Sequence, residues 1–272
     1  MTSTFRTLLS LTACLFLGQV GAAQAASGVL RISVNPIYPP LEFRDPVTDR
    51  LTGFDIDFGN ALAARIGVKV EWVETAFPQM IPSVQSGRTD MILSGFSDRP
   101  ERRTFLDFLD YLKSGAQVLV LSQGEIQSPE MLCGRKVAAS RATSFPSMIR
   151  QWSHDHCEAQ GRPAMVFYPS ESGADARIQL LQGRVAAMVQ GGETVGYFID
   201  ITHHAFRRLG NPLSNMLLSM AFPKGHAALE AQVAHAFADL RADGTYDRLL
   251  QRWSLQDAAL PAPEPDSDGS TP

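Results

Sequence analysis

The chain has 272 residues, of which 44% are hydrophobic and 19% are charged, and its formal net charge is −4. This composition is typical of globular proteins and leaves room for one large domain or two lobes. A slightly acidic chain lacks the basic surface that nucleic-acid binding requires, so we expect no nucleic-acid partner. Beyond the N-terminus, no apolar stretch is long enough to cross a bilayer.

The first 25 residues have the pattern of a secretory signal peptide. Arg6 precedes an apolar segment from about residue 8 to residue 20, and an A-x-A site ending at Ala25 follows. We therefore predict cleavage after Ala25 and export to the periplasm. A lipoprotein site ending at Cys14 is the alternative, but the apolar segment before that cysteine would be short.

Alternating apolar positions and helix-end signals predict a β-α-β-α-β order in the first part of the chain. The predicted strands are 30–34, 68–72 and 91–93, and the predicted helices are 53–66 and 80–86. After a bare apolar strand at 118–121, a second series is predicted: strand 136–138, helix 145–158, strand 164–167, helix 173–181, strand 185–189 and helix 193–200. Strand 216–222 and helices 227–242 and 246–253 complete the prediction.

This order predicts an α/β fold of two lobes, each a mainly parallel sheet flanked by helices, joined by two hinge crossovers. The first lobe would comprise residues 28–114 and 218–257, and the second lobe residues 118–214. We predict the first crossover at residues 114–117 and closure of the lobes over a ligand. The Pro- and Asp-rich stretch 258–272 is predicted to be a disordered tail.

A Ser/Gly loop at residues 94–102 is the first candidate binding segment. It follows the predicted strand 91–93, and its small hydroxyls and backbone N–H groups suit a carboxylate ligand. Arg102 follows in what the pattern predicts to be the start of a helix, where its guanidinium could pair with that carboxylate. In open α/β sheets, ligands lie beyond the carboxyl ends of strands, and loops 35–40 and 190–193 follow two further strands. We therefore predict a cleft shared by both lobes.

Cys133 and Cys157 are the cysteines that remain after cleavage of the signal peptide. In an exported protein two thiols are often joined, and this bridge would contribute roughly 3 kcal/mol; two separate buried thiols are the alternative. His154 and His156 lack a further ligand at a recognised spacing, so we predict no metal and no cofactor. The motifs of serine hydrolases, zinc proteases and P-loop proteins do not occur.

Taken in order, several segments resemble the periplasmic solute-binding proteins of ABC importers, in particular the polar amino-acid (type 3) group. The matching segments are Leu30–Ile32, Tyr38–Phe43, Gly53–Asp57, Met80–Ser83, Gly87–Asp90, Glu101–Arg102, Gly134–Val137 and Arg241–Tyr246. The resemblance covers about residues 28–253. It implies a monomer that binds a small carboxylate-bearing solute in the periplasm and delivers it to ABC permease subunits.

The resemblance also implies a set of ligand-binding residues. These positions are Tyr38 and Phe77 for the ligand wall, Ser94, Gly95, Ser97 and Arg102 for the carboxylate, and Thr143 and Ser144 for the contribution of the second lobe. Where the family places an aspartate that pairs with the ligand's α-ammonium, this chain has Gly191. Either Glu193 takes that role or the ligand has no α-ammonium, because a buried ammonium without a counter-charge is unfavourable. Asn35 stands where binders of basic amino acids carry an acid, which disfavours a cationic ligand side chain.

Two alternatives remain open. Cyclohexadienyl (prephenate/arogenate) dehydratases share this fold, and their acid lies near Glu193 in register, where it could act in general acid catalysis. A non-transport accessory or sensor role is the other alternative. We expect a binding protein rather than an enzyme, because a shared fold does not establish an activity.

Overall fold

The computed structural model describes residues 28–261, so the predicted signal peptide lies outside the described residues. The strands are β1 Val29–Val34, β2 Ile37–Tyr38, β3 Glu42–Arg44, β4 Leu51–Thr52, β5 Lys69–Glu74, β6 Met91–Ile92, β7 Leu106–Leu121, β8 Lys136–Ser140, β9 Val166–Ser170, β10 Ala187–Gly191, β11 Phe206–Arg208 and β12 Asn215–Pro223. The α-helices are α1 Phe54–Ile66, α2 Met80–Gln85, α3 Phe145–His156, α4 Gly173–Leu181, α5 Gly192–Ile201, α6 Ala227–Ala242 and α7 Thr245–Arg252. The predicted α/β order is confirmed.

The nine-stranded sheet has the order β5-β1-β6-β12-β7-β10-β8-β9, with β11 paired to β7. Strand β1 runs parallel to β5 and β6, and β8 runs parallel to β9 and β10. Strands β7 and β12 are antiparallel to each other and lie between these two parallel groups. The structure therefore has two α/β units connected through one pair of long strands.

Strand β7 changes its partner where the two units meet. Residues Leu106 to Gly115 pair with β12, whereas Ala116 to Leu119 pair with β10. We define lobe 1 as residues 28–115 and 215–261, and lobe 2 as residues 116–214. A change of direction in these two strands would move one lobe relative to the other, as in hinge closure.

Each lobe has its own hydrophobic core. In lobe 1, helix α1 packs Phe58 and Leu62 inward, and Gly67 in the left-handed conformation ends the helix. The position of these apolar residues at i and i+4 explains why one face of the helix is buried. In lobe 2, one core cluster includes Cys157, which forms a disulfide with Cys133 across a Cα–Cα distance of 5.6 Å. Of the two alternatives for these cysteines, the structure contains the bridge.

The structure corrects the sequence-based expectation at several places. The predicted helix at Arg99–Arg103 is wrong: these residues form turns, with the Arg102 N–H bonded to the Arg99 carbonyl. There is little room for a helix, because β7 begins at Leu106 to pair with β12. The predicted tail also begins too early, since Ala258 is buried against the lobe 1 core and Leu260 packs on it. The small sheet β2-β3-β4 and strand β11 were not predicted.

Candidate ligand-binding cleft

A cavity of about 360 Å³ lies between the two lobes. Eight of the ten predicted binding residues line it, namely Tyr38, Phe77, Ser94, Gly95, Ser97, Arg102, Thr143 and Ser144. Gly191 and Glu193 lie next to it, behind Tyr38 and Gln190. The carboxyl ends of strands from both lobes meet here, as expected for an open α/β sheet.

Arg102 is the arginine that lobe 1 contributes to the lining of the cavity. Its Nη1 atom donates to the Ser97 carbonyl at 2.7 Å and to the Ser97 hydroxyl at 2.9 Å. Its guanidinium lies 4.1 Å from the ring centroid of Phe96 and 5.8 Å from that of Phe77. Within residues 28–261, Nε and Nη2 donate to no other residue, and the side chain forms no salt bridge. Burial lowers the pKa of Arg102 to about 10, so an anion at this position would be strongly favoured.

The Ser94 hydroxyl and the Gly95 N–H are already occupied by other residues of lobe 1. The Ser94 hydroxyl donates to Glu42 Oε1 at 2.8 Å and accepts from the Asn35 N–H at 3.0 Å. The Gly95 N–H donates to Asp55 Oδ2 at 2.9 Å. Their contact with a ligand carboxylate stays a prediction, but in this structure these groups anchor the loop beneath Arg102.

Glu42 and Asp55 form a buried carboxyl pair below this loop. Their exposed fractions are 1% and 0%, and Asp55 also accepts from the Tyr111 hydroxyl at 2.9 Å. Glu42 Oε2 and Asp55 Oδ1 have no donor among the described residues. Burial raises the pKa of Asp55 to about 6 and that of Glu42 well above its usual range. A proton held by this pair removes one of the two buried charges.

The lobe 2 wall opposite Arg102 begins at the end of β8. The Thr143 hydroxyl donates to the Ser140 carbonyl at 2.8 Å and accepts from the Phe145 N–H at 3.3 Å. Ser144 is the residue before α3, and its hydroxyl makes no hydrogen bond to another described residue. Ser144 is therefore the better placed of the two predicted hydroxyls to meet a ligand.

Glu193 fills the space beside Gly191. A Cβ atom on Gly191 would lie 2.1 Å from Glu193 Oε1 and 2.2 Å from the Tyr38 hydroxyl oxygen. The Tyr38 hydroxyl donates to Glu193 Oε1 at 2.8 Å, and the Ser114 hydroxyl donates to Oε2. Burial raises the pKa of Glu193, whereas these hydrogen bonds act in the opposite direction. The Glu193 carboxylate thus occupies the position where an aspartate side chain at residue 191 would begin. Both of its oxygens accept hydrogen bonds.

A second arginine lies behind the lobe 2 wall and was not predicted. Arg177 Nη1 donates to Gln190 Oε1 at 3.2 Å, and its guanidinium lies 3.5 Å from the centroid of Phe198. Gln190 is 1% exposed and lines the cavity, as does Gly173. Burial lowers the pKa of Arg177 to about 10, and no described carboxylate forms a salt bridge with it.

Sequence reasoning missed the residues that act from behind the cavity wall. Glu42 and Asp55 lie within the segments that carry the family resemblance, yet their pairing depends on contacts between distant parts of lobe 1. Arg177 could have been found, because it is four residues after Gly173 on a correctly predicted helix and so shares its face. Within residues 28–261, no group of His, Cys, Asp and Glu could hold a metal, and no helix is long and apolar enough to span a membrane.

Comparison with known proteins gives a consistent family assignment. The arginine-binding protein ArgT of Corynebacterium glutamicum is 30% identical over 242 residues, which cover 89% of this chain and 79% of that protein. The L-cystine-binding protein TcyJ of Escherichia coli K12 is 27% identical, with coverage of 83% and 82%. The crystal structure of the ancestral amino acid-binding protein AncCDT-1, a precursor of cyclohexadienyl dehydratase, matches with a TM-score of 0.71 and 31% identity, covering 83% of this chain and 95% of that chain.

The family profile of the bacterial extracellular solute-binding proteins, family 3, matches residues 30–256. This range contains all of lobe 2, nearly all of lobe 1, both hinge strands and every residue that lines the cavity. The two-lobed fold agrees with that of the solved relatives, as the resemblance implied. The chain belongs to the bacterial extracellular solute-binding proteins, family 3.

Proposed function

We propose that the cleft binds a small solute with a carboxylate, an amino acid or a related compound, and that Arg102 holds this carboxylate. The observation that carries the proposal is a largely buried guanidinium in the cleft whose Nε and Nη2 atoms have no acceptor among the described residues. A carboxylate can accept two parallel hydrogen bonds from such a fork. Phe77 and Tyr38 would enclose the rest of the ligand from lobe 1, and Ser144 would approach it from lobe 2.

The protein would act in the periplasm as a monomer and pass its ligand to the permease subunits of an ABC importer. The predicted signal peptide supports export. The curated relatives include several binding proteins for arginine, cystine and histidine, and one is named a periplasmic protein. Closure of the lobes around the ligand would provide the shape that a permease distinguishes from the empty protein.

Isothermal titration calorimetry with a panel of amino acids, their amides and small carboxylic acids tests the proposal. We expect at least one carboxylate to bind, and Arg102→Ala to weaken that binding by roughly 2–5 kcal/mol, because the carboxylate then lies unpaired in the cleft. Arg103→Ala is the matched control, since the exposed Arg103 side chain forms its ion pair with Asp98. Equal affinities of Arg102→Ala and Arg103→Ala would remove Arg102 from the site.

A dehydratase activity is the second candidate, and one observation favours it. Burial raises the pKa of Glu193, and a general acid needs such a raised value to hold its proton near neutral pH. Against it, both Glu193 oxygens accept hydrogen bonds from Tyr38 and Ser114. We expect binding without turnover, so the absorbance of prephenate should stay constant when it is mixed with the protein. Loss of that absorbance, abolished by Glu193→Gln, would establish the enzyme instead.

The third candidate, an accessory or sensor role, is distinguished by reconstitution with a permease complex in vesicles. If the protein delivers its ligand, addition of the loaded protein should stimulate ATP hydrolysis and uptake by the complex. Binding without any stimulation by the cognate permease would favour the accessory role.

A further inference from the structure

We infer that the ligand is a small dicarboxylate, whose first carboxylate binds Arg102 and whose second carboxylate binds in lobe 2 at Arg177 and the first turn of α4. This inference rests on the proposed function of the cleft, and it adds the chemical class of the ligand. Three sets of contacts carry it: those of Arg177, those of the α4 N-terminus, and those of the carboxyl groups around the cleft.

The Arg177 guanidinium has an unusual lack of charge compensation. It is half-buried, none of the ion pairs within residues 28–261 includes it, and its one recorded side-chain acceptor is the neutral amide of Gln190. The Phe198 ring beneath it supplies a cation–π contact, which compensates for only part of the lost hydration. A partly desolvated guanidinium with unfilled donors, directly behind the cavity wall at Gln190, can bind a carboxylate that replaces the Gln190 amide oxygen.

The helix that carries Arg177 brings further donors to the cleft. Ser172 and Gly173 at the start of α4 line the cavity. As the first two residues of the helix, Gly173 and Ala174 have N–H groups without an acceptor inside it. Side chains on a helix lean toward its N-terminus, so Arg177 reaches back over Gly173, where a Cβ atom would lie 3.8 Å from Nη1. The Gln190 side chain occupies the space beside Gly173, with its Oε1 atom 3.0 Å from such a Cβ atom, so a ligand carboxylate would take the place of this amide oxygen at Arg177.

The carboxyl groups around the cleft interact with groups other than Arg102 and Arg177. Glu171 at the rim pairs with Arg141 at 2.7 Å, and Glu42 is engaged by Ser94 and Asp55. Glu193 accepts from Tyr38 and Ser114. By contrast, Arg102 and Arg177, one in each lobe, have no carboxylate partner among the described residues. Each of these two arginines therefore lacks a carboxylate partner, which a ligand with two negative groups would supply.

The test uses a series of straight-chain diacids from succinate to suberate, each compared with its own half-amide, in calorimetric titrations of the full mature protein. We expect one chain length to bind at least roughly ten-fold more tightly than its half-amide, because only the diacid places a charge at both arginines. Its length would report the distance between the two carboxylate positions.

Three substitutions identify the second site. Arg177→Met should remove the preference for the diacid while the half-amide binds unchanged, and Arg177→Lys should keep part of that preference. Arg150→Met is the control, because Arg150 is an exposed arginine of the same lobe. A purely structural role of Arg177 would appear as an equal loss for diacid and half-amide together with a lower melting temperature, and this result would overturn the inference.

The failure of this inference and the failure of the proposed function give different results. If monocarboxylates or amino acids bind in an Arg102-dependent manner and no diacid exceeds its half-amide, only the dicarboxylate inference is wrong. If no carboxylate binds the wild-type protein, the proposed function is wrong, and the inference falls with it. Tight binding of a cationic ligand such as arginine, unaffected by Arg177→Met, would also overturn it.

Discussion

The two lobes stabilise their halves of the cleft in different ways. Lobe 1 places buried carboxyls, Glu42 and Asp55, under the loop that carries its candidate ligand contacts, and it holds Arg102 in place through Ser97. Lobe 2 has a disulfide in its core and presents mainly neutral groups to the cavity, with Gln190 in front of Arg177. The geometry of lobe 1 should thus depend on pH, and that of lobe 2 on redox state.

This difference suggests that the two lobes contribute differently to ligand recognition. The proposed carboxylate site of lobe 1, with Arg102 held by Ser97, would suit any ligand with a carboxylate, because it would recognise only that group. The position where the family pairs the ligand's α-ammonium, at Gly191, lies in lobe 2, whereas Asn35 lies in lobe 1. Recognition of an ammonium group would therefore depend mainly on lobe 2, and the following predictions test whether the lobes behave separately.

The largest effect is expected from the disulfide of lobe 2. Replacement of Cys133 and Cys157 by serine should lower the free energy of unfolding by about 3 kcal/mol, because the unfolded chain regains the freedom of a loop of 24 residues. Hydrogen exchange should rise in α3 and β8 while α1 keeps its protection. Equal loss of protection in both lobes would show that they unfold as one unit.

The second prediction concerns the carboxyl pair of lobe 1. The pKa of Asp55 is raised by burial to about 6, so the native state holds a proton that the unfolded chain releases near pH 4. The stabilisation that this proton provides is fully present below about pH 4 and is lost as the pH rises through about 6. The free energy of unfolding should therefore fall by roughly 2–3 kcal/mol over this range.

Urea unfolding at a series of pH values measures this contribution. Glu42→Gln should make the curve less steep above about pH 4, because it removes the contribution of Glu42, whose own pKa is raised well above its usual range by burial, while the burial of Asp55 remains. Glu71→Gln, at an exposed position of the same lobe, should leave the curve unchanged. An identical pH dependence of wild type and Glu42→Gln would contradict the raised pKa of Glu42.

The contact between the lobes provides the third prediction. Gly191→Ala places a methyl group where Glu193 Oε1 and the Tyr38 hydroxyl now lie. Because both are side-chain ends that can move, we expect a loss of about 1–3 kcal/mol in stability rather than a failure to fold. In a double-mutant cycle, Gly191→Ala and Tyr38→Phe should be non-additive, since both disrupt the Tyr38–Glu193 hydrogen bond. Simple additivity would show that this bond contributes nothing.

The smallest effect is expected at the rim of the cleft. Arg141 and Glu171 form an ion pair within lobe 2, but their side chains are 62% and 71% exposed. Glu171→Gln should change the free energy of unfolding by less than about 1 kcal/mol, because water and salt screen such pairs. A larger loss of stability, measured by thermal denaturation, would mean that this ion pair at the rim stabilises lobe 2 to an extent comparable with the disulfide.

The chain's own pattern determined the order of its elements and much of the candidate site. The period of α1 and the boundaries of α4 follow from local signals, because an apolar helix face and the residues at helix ends can be recognised in the sequence. Arg102 could be predicted in the same way, since it stands just after a Ser/Gly loop at the end of a strand. The helix predicted around it was wrong because pairing of β7 with β12 is a long-range effect that no local window contains.

Only the tertiary structure decided which polar groups face the cavity and which are already engaged. Tyr38 and Glu193 are 155 residues apart in sequence, yet their hydrogen bond determines what can stand at Gly191. Glu42 likewise accepts from the Ser94 hydroxyl and Asp55 from the Gly95 N–H, so neither donor is free for a ligand. The physical reason is that a buried hydrogen bond depends on how close its donor and acceptor lie in the folded protein and on how far both are removed from water. Neither quantity can be read from the spacing of residues in the sequence.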